Sequence, residues 1–218
     1  MISVADLLTN NRVPGNYFAA DTYIRGDLEL GILENRRGER LIAIPETMIQ
    51  GIYSGLEKET GQASLLVLFN CGKWWGKNFY TRFREELTDY YGTALADLPM
   101  VDFLQCLQQC WLTYGWGKLE LDHSLHNRGF LLIKTWNSPF AALAPQNKVP
   151  YCFLEAGVLA SFFSQLTGRD LHCVQTTCES MGAEYNQFLI GVAPRMKKAE
   201  ELVAQQLDHD RIVEALCA

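Results

Sequence analysis

The stretch that decides the fold reads YCFLEAGVLASFFSQLTG from Tyr151 to Gly168, LHCVQTTC from Leu171 to Cys178, and AEYNQFLIG from Ala183 to Gly191. The first run is apolar and helix-like and stops at Gly168. The second is a strand that ends at Cys178. Glu179, Ser180, Met181 and Gly182 follow, and the third run is a second strand carrying Phe188. A glycine four residues after a cysteine at a strand end suits a tight hairpin.

Working outward, Tyr17–Tyr23, Leu28–Leu33 and Arg40–Ile44 read as short strands, with Gly38 in a polar turn between the last two. Pro45 and Glu46 open a helix whose apolar residues Met48, Ile49, Ile52, Tyr53 and Leu56 recur every three to four positions, and Gly61 ends it. The longest helix runs from Ala63 to Tyr91, with one stripe of Leu65, Leu68, Gly72, Trp75, Gly76, Phe79, Phe83 and Leu87, and Gly92 stops it. A third helix spans Pro99 to Tyr114. Gly117–His123 and Arg128–Trp136 form a hairpin, and Pro139, Pro145 and Pro150 mark a loop. Phe153–Leu166 is the fourth helix, and Pro194 opens a last amphipathic one with Met196, Ala199, Leu202, Val203 and Leu207. Residues 1–13 read as a leader or a short helix. This order predicts an α+β domain, with helices packed on one face of an antiparallel sheet.

No linker-like stretch divides the 218 residues, so one domain over 1–218 is expected. The net charge of -6 argues against a general nucleic-acid binder, which needs a basic face for phosphates. Seven cysteines, at 71, 106, 110, 152, 173, 178 and 217, sit mostly within apolar runs and read as reduced, buried thiols. Met1–Asn10 lacks the apolar core of a secretory signal, so a cytoplasmic setting is expected, with peripheral attachment to a membrane surface left open.

The segment 151–191 resembles the end of the V4R (4-vinyl-reductase) domain, a small-molecule-binding relative of the Bet3-like subunits of trafficking complexes. In that pattern a glutamate stands three residues before a cysteine, a glycine four after it, a second cysteine four further on, and an aromatic two beyond. Cys178, Gly182 and Phe188 fit the pattern, while Gln175 and Asn186 stand in place of the glutamate and the second cysteine. One thiol with two amides is a poor metal site, so none is expected. The resemblance implies a Bet3/V4R-like fold. Its relatives include proteins of chlorophyll synthesis in photosynthetic bacteria, and a cyanobacterial type is expected. The implied guest is a large hydrophobic molecule such as a tetrapyrrole (chlorophyll, a chlorophyll precursor or haem), handled during pigment traffic or photosystem assembly with pigment-synthesis or assembly proteins as partners. Bet3-like subunits also pair through helices, so a homodimer is expected.

Several residues are candidates for contact with such a guest. Gly72 and Gly76, four apart beside Trp74 and Trp75, lack Cβ atoms and let a flat ligand or a second backbone approach closely. Trp74, Trp75, Phe79, Trp111, Phe162 and Phe163 offer flat apolar area. Cys178, singled out by the family pattern, is either a ligand contact or a small plug under the hairpin. His172, His123 and His126 are candidate axial ligands to a porphyrin metal; the last two equally suit an exposed turn. Cys106 and Cys110 share a helix face and read as buried packing. His209 reads as solvated. No GxGxxG after a strand, P-loop, HExxH or GxSxG occurs, so stand-alone reductase activity is not expected. Two readings follow: a ligand-binding module, or an interaction scaffold of Bet3-like type without a guest.

Overall fold

A computed structural model describes residues 17–141 and 150–217. The expected leader over residues 1–13 and Pro145 of the proline loop lie outside the described residues. By internal packing the chain falls into two compact units, one of residues 1–43 and 84–115, the other of residues 44–83 and 116–218.

In the first unit, α1 (Ala20–Tyr23) precedes a small antiparallel meander of β1 (Arg25–Asp27), β2 (Ile32–Glu34) and β3 (Arg40–Leu41). The expected strand at Tyr17–Tyr23 is instead a turn and a single helical turn. The expected strand from Leu28 begins only at Ile32, because the Asp27 carboxylate accepts the N–H groups of Glu29 (3.0 Å) and Leu30 (2.9 Å) and folds the chain into a turn. Helix α4 (Met100–Thr113) buries Phe103, Cys106, Leu107, Cys110 and Trp111. The buried Glu86 carboxylate accepts the Tyr23 hydroxyl (3.1 and 3.2 Å) and the Asn35 amide (3.1 Å), and Tyr114 meets the Tyr23 hydroxyl at 2.8 Å. Burial pushes the Tyr23 phenol far up, so it stays neutral and donates.

The second unit is built on a four-stranded antiparallel sheet. It consists of β4 (Lys118–Asp122), β5 (Leu131–Trp136), β6 (Leu171–Thr177) and β7 (Asn186–Val192) in the order β4-β5-β7-β6. The hairpin from β6 to β7 turns through Gly182 at a φ of 86°, a left-handed position that favours glycine. Ile133 pairs with Phe188 and Phe188 with Gln175, so these three share one face, whereas Leu132, Leu189 and Val174 point to the other. Central strand β7 is buried from Asn186 to Gly191, with both faces covered.

Helix α5 (Phe153–Thr167) is buried continuously from Glu155 to Phe163 and lies against β6 and β7. On the opposite face, α6 (Ala193–Ala204) and α7 (His209–Cys217) close a core of Phe130, Leu132, Val174, Leu189, Met196, Ala199 and Ile212. That layer is additional to the helices expected on one face, and α7 lies beyond the last helix that the sequence predicts. Helix α2 (Glu46–Thr60) joins through Tyr53, packed with Leu68 and Tyr151.

Helix α3 (Ala63–Tyr91) contributes its first 21 residues, 63–83, to this unit. There Leu68, Gly72, Gly76, Phe79 and Phe83 are buried, as the predicted stripe requires. A Cβ on Gly72 would strike the Leu154 carbonyl oxygen, and one on Gly76 the Val158 carbonyl oxygen. The paired glycines therefore serve close contact between α3 and α5.

Candidate functional site

An apolar pocket of about 540 Å³ opens beside the edge strand β6. Three helices and the strand build it. Helix α3 supplies Leu65, Leu66, Phe69, Asn70 and Lys73; the start of α5 supplies Cys152, Phe153 and Ala156 with Pro150 just before; β6 supplies His172, Cys173, Val174 and Gln175; and α6 supplies Glu200, Val203 and Ala204. The α3 residues recur at three- and four-residue intervals, which places them on one face. An edge strand leaves a row of backbone groups without a neighbouring strand, and here the helices flank that row.

The pocket's polar groups are few. His172 Nε2 lies 2.8 Å from Glu200 Oε1, and the imidazole sits tilted against the Phe69 ring, 4.8 Å between centroids. Lys73 brings a cation to the wall, and Asn70 and Gln175 bring amides. This is a largely apolar cleft with a few convergent polar groups, the composition of small-molecule sites.

Behind Cys152 lies a buried polar network. The Gln175 carbonyl accepts the Cys152 N–H at 2.8 Å, and its amide nitrogen donates to Asn186 Oδ1 at 3.3 Å. Asn186 donates to Glu179 Oε2 at 2.6 Å and accepts the Glu179 N–H at 2.9 Å. The Glu179 carboxylate also accepts the N–H groups of Asn137 (2.8 Å) and Ser138 (3.2 Å). Gln175 and Asn186, the two departures from the V4R pattern, thus tie the start of α5, β6 and β7 together. Among the described residues no group of three or more His, Cys, Asp or Glu gathers to hold a metal ion.

Two sulfurs meet in this network. Cys152 Sγ and Cys178 Sγ are 3.7 Å apart, and Ser180 Oγ is 3.1 Å from Cys178 Sγ. Donation from the Cys152 thiol, with help from the Ser180 hydroxyl and backbone N–H groups, brings the Cys178 thiol down to about 6, whereas burial pushes Cys152 well above its ordinary value. Beside them Ser138 donates to Glu155 Oε2 at 2.8 Å, and burial raises the Glu155 carboxyl to about 8.

Of the residues singled out in the sequence, His172 lines the pocket. Gly72 and Gly76 do not; their contact with α5 takes the space a flat guest would need. Trp74 is 72% exposed. Trp75, Phe79 and Phe162 fill an aromatic cluster with Phe83, Trp116 and Phe140 and are held by one another, and Phe163 is buried against Phe162. Trp111 is buried in the first unit. Cys178 is buried behind Cys152. His123 and His126 are exposed in the turn after β4. His209, read as solvated, is half-buried and lies 2.9 Å from the Thr176 hydroxyl, and burial lowers its pKa. The pocket residues on α3 and α6 escaped the sequence reading because Leu65, Phe69 and Val203 look the same whether they fill a core or line a cavity.

Comparison with known proteins places this geometry in context. The V4R domain family model matches residues 132–192, from β5 to the end of β7. No curated protein matches the chain. Among solved structures, the phenol-responsive sensory domain of the transcription activator PoxR, crystallised with phenol, superposes with a TM-score of 0.63 at 11% identity, covering 100% of this chain and 99% of that one. A vinyl-4-reductase family protein from Methanocaldococcus jannaschii gives 0.44 at 19% identity, over 69% of this chain and 82% of that one. Subunit 3 of the trafficking protein particle complex from Naegleria fowleri, covalently bound to palmitic acid, gives 0.47 at 11% identity, over 67% and 91%. At these identities the PoxR likeness is one of fold.

Proposed function

We propose that this chain is a non-catalytic small-molecule-binding module whose guest occupies the pocket beside β6. The observation that carries the reading is the pocket itself: a volume of about 540 Å³ falls within the range of ligand sites, and apolar walls surround a short polar set. The sensory domain that shares its fold is described as phenol-responsive, which supports a small-molecule guest for the same scaffold. The favoured guest is mostly apolar and carries an acidic or hydroxyl group facing Lys73, His172 and Gln175.

A tetrapyrrole, handled during pigment traffic or photosystem assembly, is the finer form of this proposal. His172 is the pocket residue whose imidazole would approach its metal. Its Nε2 is held by Glu200, so ligation through that atom requires the hydrogen bond to break.

The test is titration of the purified chain with phenol, haemin, a chlorophyllide and the apolar dye 1-anilinonaphthalene-8-sulfonate. At least one binds, and Ala156→Phe, which fills the pocket from α5, weakens it at least tenfold. No binding by any of the four up to about 1 mM, a free energy near 4 kcal/mol, overturns the reading.

A second reading, an interaction scaffold, rests on a different surface. Val67 and Trp74, seven apart and so on one face of α3, are 37% and 72% exposed, an apolar stripe that a second copy of this chain would cover in a homodimer.

A further inference from the structure

We propose that Cys152, in the wall of the pocket, and Cys178, next to it in the interior, form a dithiol that reacts with hydroperoxides, and that its oxidation to a disulfide alters the pocket. The two sulfurs are 3.7 Å apart although their residues are 26 apart in sequence, so the fold itself holds them together. Closing that gap to a bond of about 2.05 Å takes a small side-chain movement. Cys152 lines the pocket and Cys178 does not, so a hydroperoxide in the pocket reaches the Cys178 sulfur, 3.7 Å beyond, once the Cys152 side chain turns aside.

The surroundings assign the two roles. Around Cys178 the Ser180 hydroxyl, the N–H groups of Ser180 and Tyr151 and the Cys152 thiol all favour a thiolate, the nucleophilic form. Cys152 stays a thiol, with the Phe140 carbonyl oxygen 3.7 Å from its sulfur, and is placed to resolve the oxidised intermediate. By contrast, burial in α4 pushes the Cys106 thiol up to about 11.

In the first step the Cys178 thiolate attacks one peroxide oxygen. The S–O bond forms, the O–O bond breaks, the peroxide hydrogen stays on the sulfenic acid, and the alkoxide leaves as the alcohol after taking from solvent the proton that the Cys178 thiol had released. In the second, the Cys152 sulfur attacks the sulfenic sulfur. The S–S bond forms, the S–O bond breaks, and the hydroxyl leaves as water with the Cys152 proton. The sulfur pair loses two electrons and the hydroperoxide gains them. A dithiol reductant reverses the change.

The experiment treats the reduced 218-residue chain with hydrogen peroxide and maps it by mass spectrometry without reduction. A peptide containing Cys152 cross-linked to Cys178 is expected, with fragmentation distinguishing Cys178 from Cys173, which shares its tryptic peptide. In Cys152→Ser the reaction stops one step earlier, and dimedone labels Cys178. Oxidation of the exposed Cys71 with Cys152 and Cys178 left as thiols would overturn the dithiol, and this arm needs no variant to fold. Binding of 1-anilinonaphthalene-8-sulfonate before and after oxidation reads the coupling, with at least a threefold change expected. The coupling rests on the pocket reading, whereas the cross-link does not: a cross-link that leaves dye affinity unchanged overturns the coupling alone.

Discussion

Gly72 on α3 and Gly157 on α5 face each other across a backbone contact, and a Cβ built on Gly72 would come within 3.0 Å of the Gly157 Cα. Gly157 is equally constrained, since its own Cβ would strike the Phe69 carbonyl oxygen. Phe69 is itself a pocket residue, so this contact fixes how far the α3 wall stands from the start of α5. Gly72→Ala should destabilise the protein by about 3 kcal/mol, because two backbones must separate to admit a methyl group. Urea denaturation measures it, and a loss below about 0.5 kcal/mol, the level of a surface substitution, would contradict the contact.

The buried Glu155 carboxyl predicts a stability that falls as pH rises from about 4.5 to about 8. Its folded pKa of about 8 lies above the ordinary value of 4.5, so between these values the folded chain keeps a proton that the unfolded chain releases. Its contribution is full below 4.5 and is lost as pH rises to about 8. The slope is at most about 1.4 kcal/mol per pH unit. Glu155→Gln should flatten that limb and match the wild type in acid; a parallel pH profile would show that the carboxyl is not the cause.

His209 predicts the opposite trend in acid. Burial lowers its folded pKa below the ordinary 6.5, so the unfolded chain binds the proton first and stability drops as pH falls from there. The half-buried imidazole also spans β6 and α7 through Thr176. Melting temperatures recorded across the acid range should therefore decline less steeply for His209→Gln than for the wild type.

In the first unit, Glu86→Leu should cost about 3 kcal/mol, because it leaves the Tyr23 hydroxyl and the Asn35 amide without their buried acceptor. A neutral effect in thermal denaturation would mean that those donors find other partners.

Trp74→Lys should leave the far-ultraviolet circular dichroism spectrum intact, since the indole is 72% exposed. If the α3 stripe is a homodimer surface, light scattering shifts from twice the chain mass to the chain mass of 24.7 kDa. A wild-type chain that already scatters as a monomer removes the dimer.

The helices from Glu46 to Thr60, Ala63 to Tyr91 and Phe153 to Thr167 were legible because their apolar spacing and terminal glycines are local signals. So was the β6–β7 hairpin, marked by Cys178, Gly182 and Phe188. The N-terminal strands are not legible in the same way: Leu28 and Leu30 look like alternating strand residues, whereas Asp27 folds them into a turn that leaves them 96% and 70% exposed. Of the pocket residues, the sequence points to His172, as a candidate axial ligand. Gly72 and Gly76 were recognised as places of close approach, but one sequence cannot say whether a helix or a guest approaches.

The sequence by itself determined the helices from Glu46 to Thr60, Ala63 to Tyr91 and Phe153 to Thr167 and the place of the hairpin between β6 and β7, because periodicity, glycine and proline act over a few residues. Only the tertiary structure decided that α5 takes the space beside the α3 glycines, that the pocket opens instead along β6, and that Cys152 reaches Cys178 across 26 positions. These are contacts between distant segments, and a side chain's chemistry does not carry the address of the partner that packing brings to it.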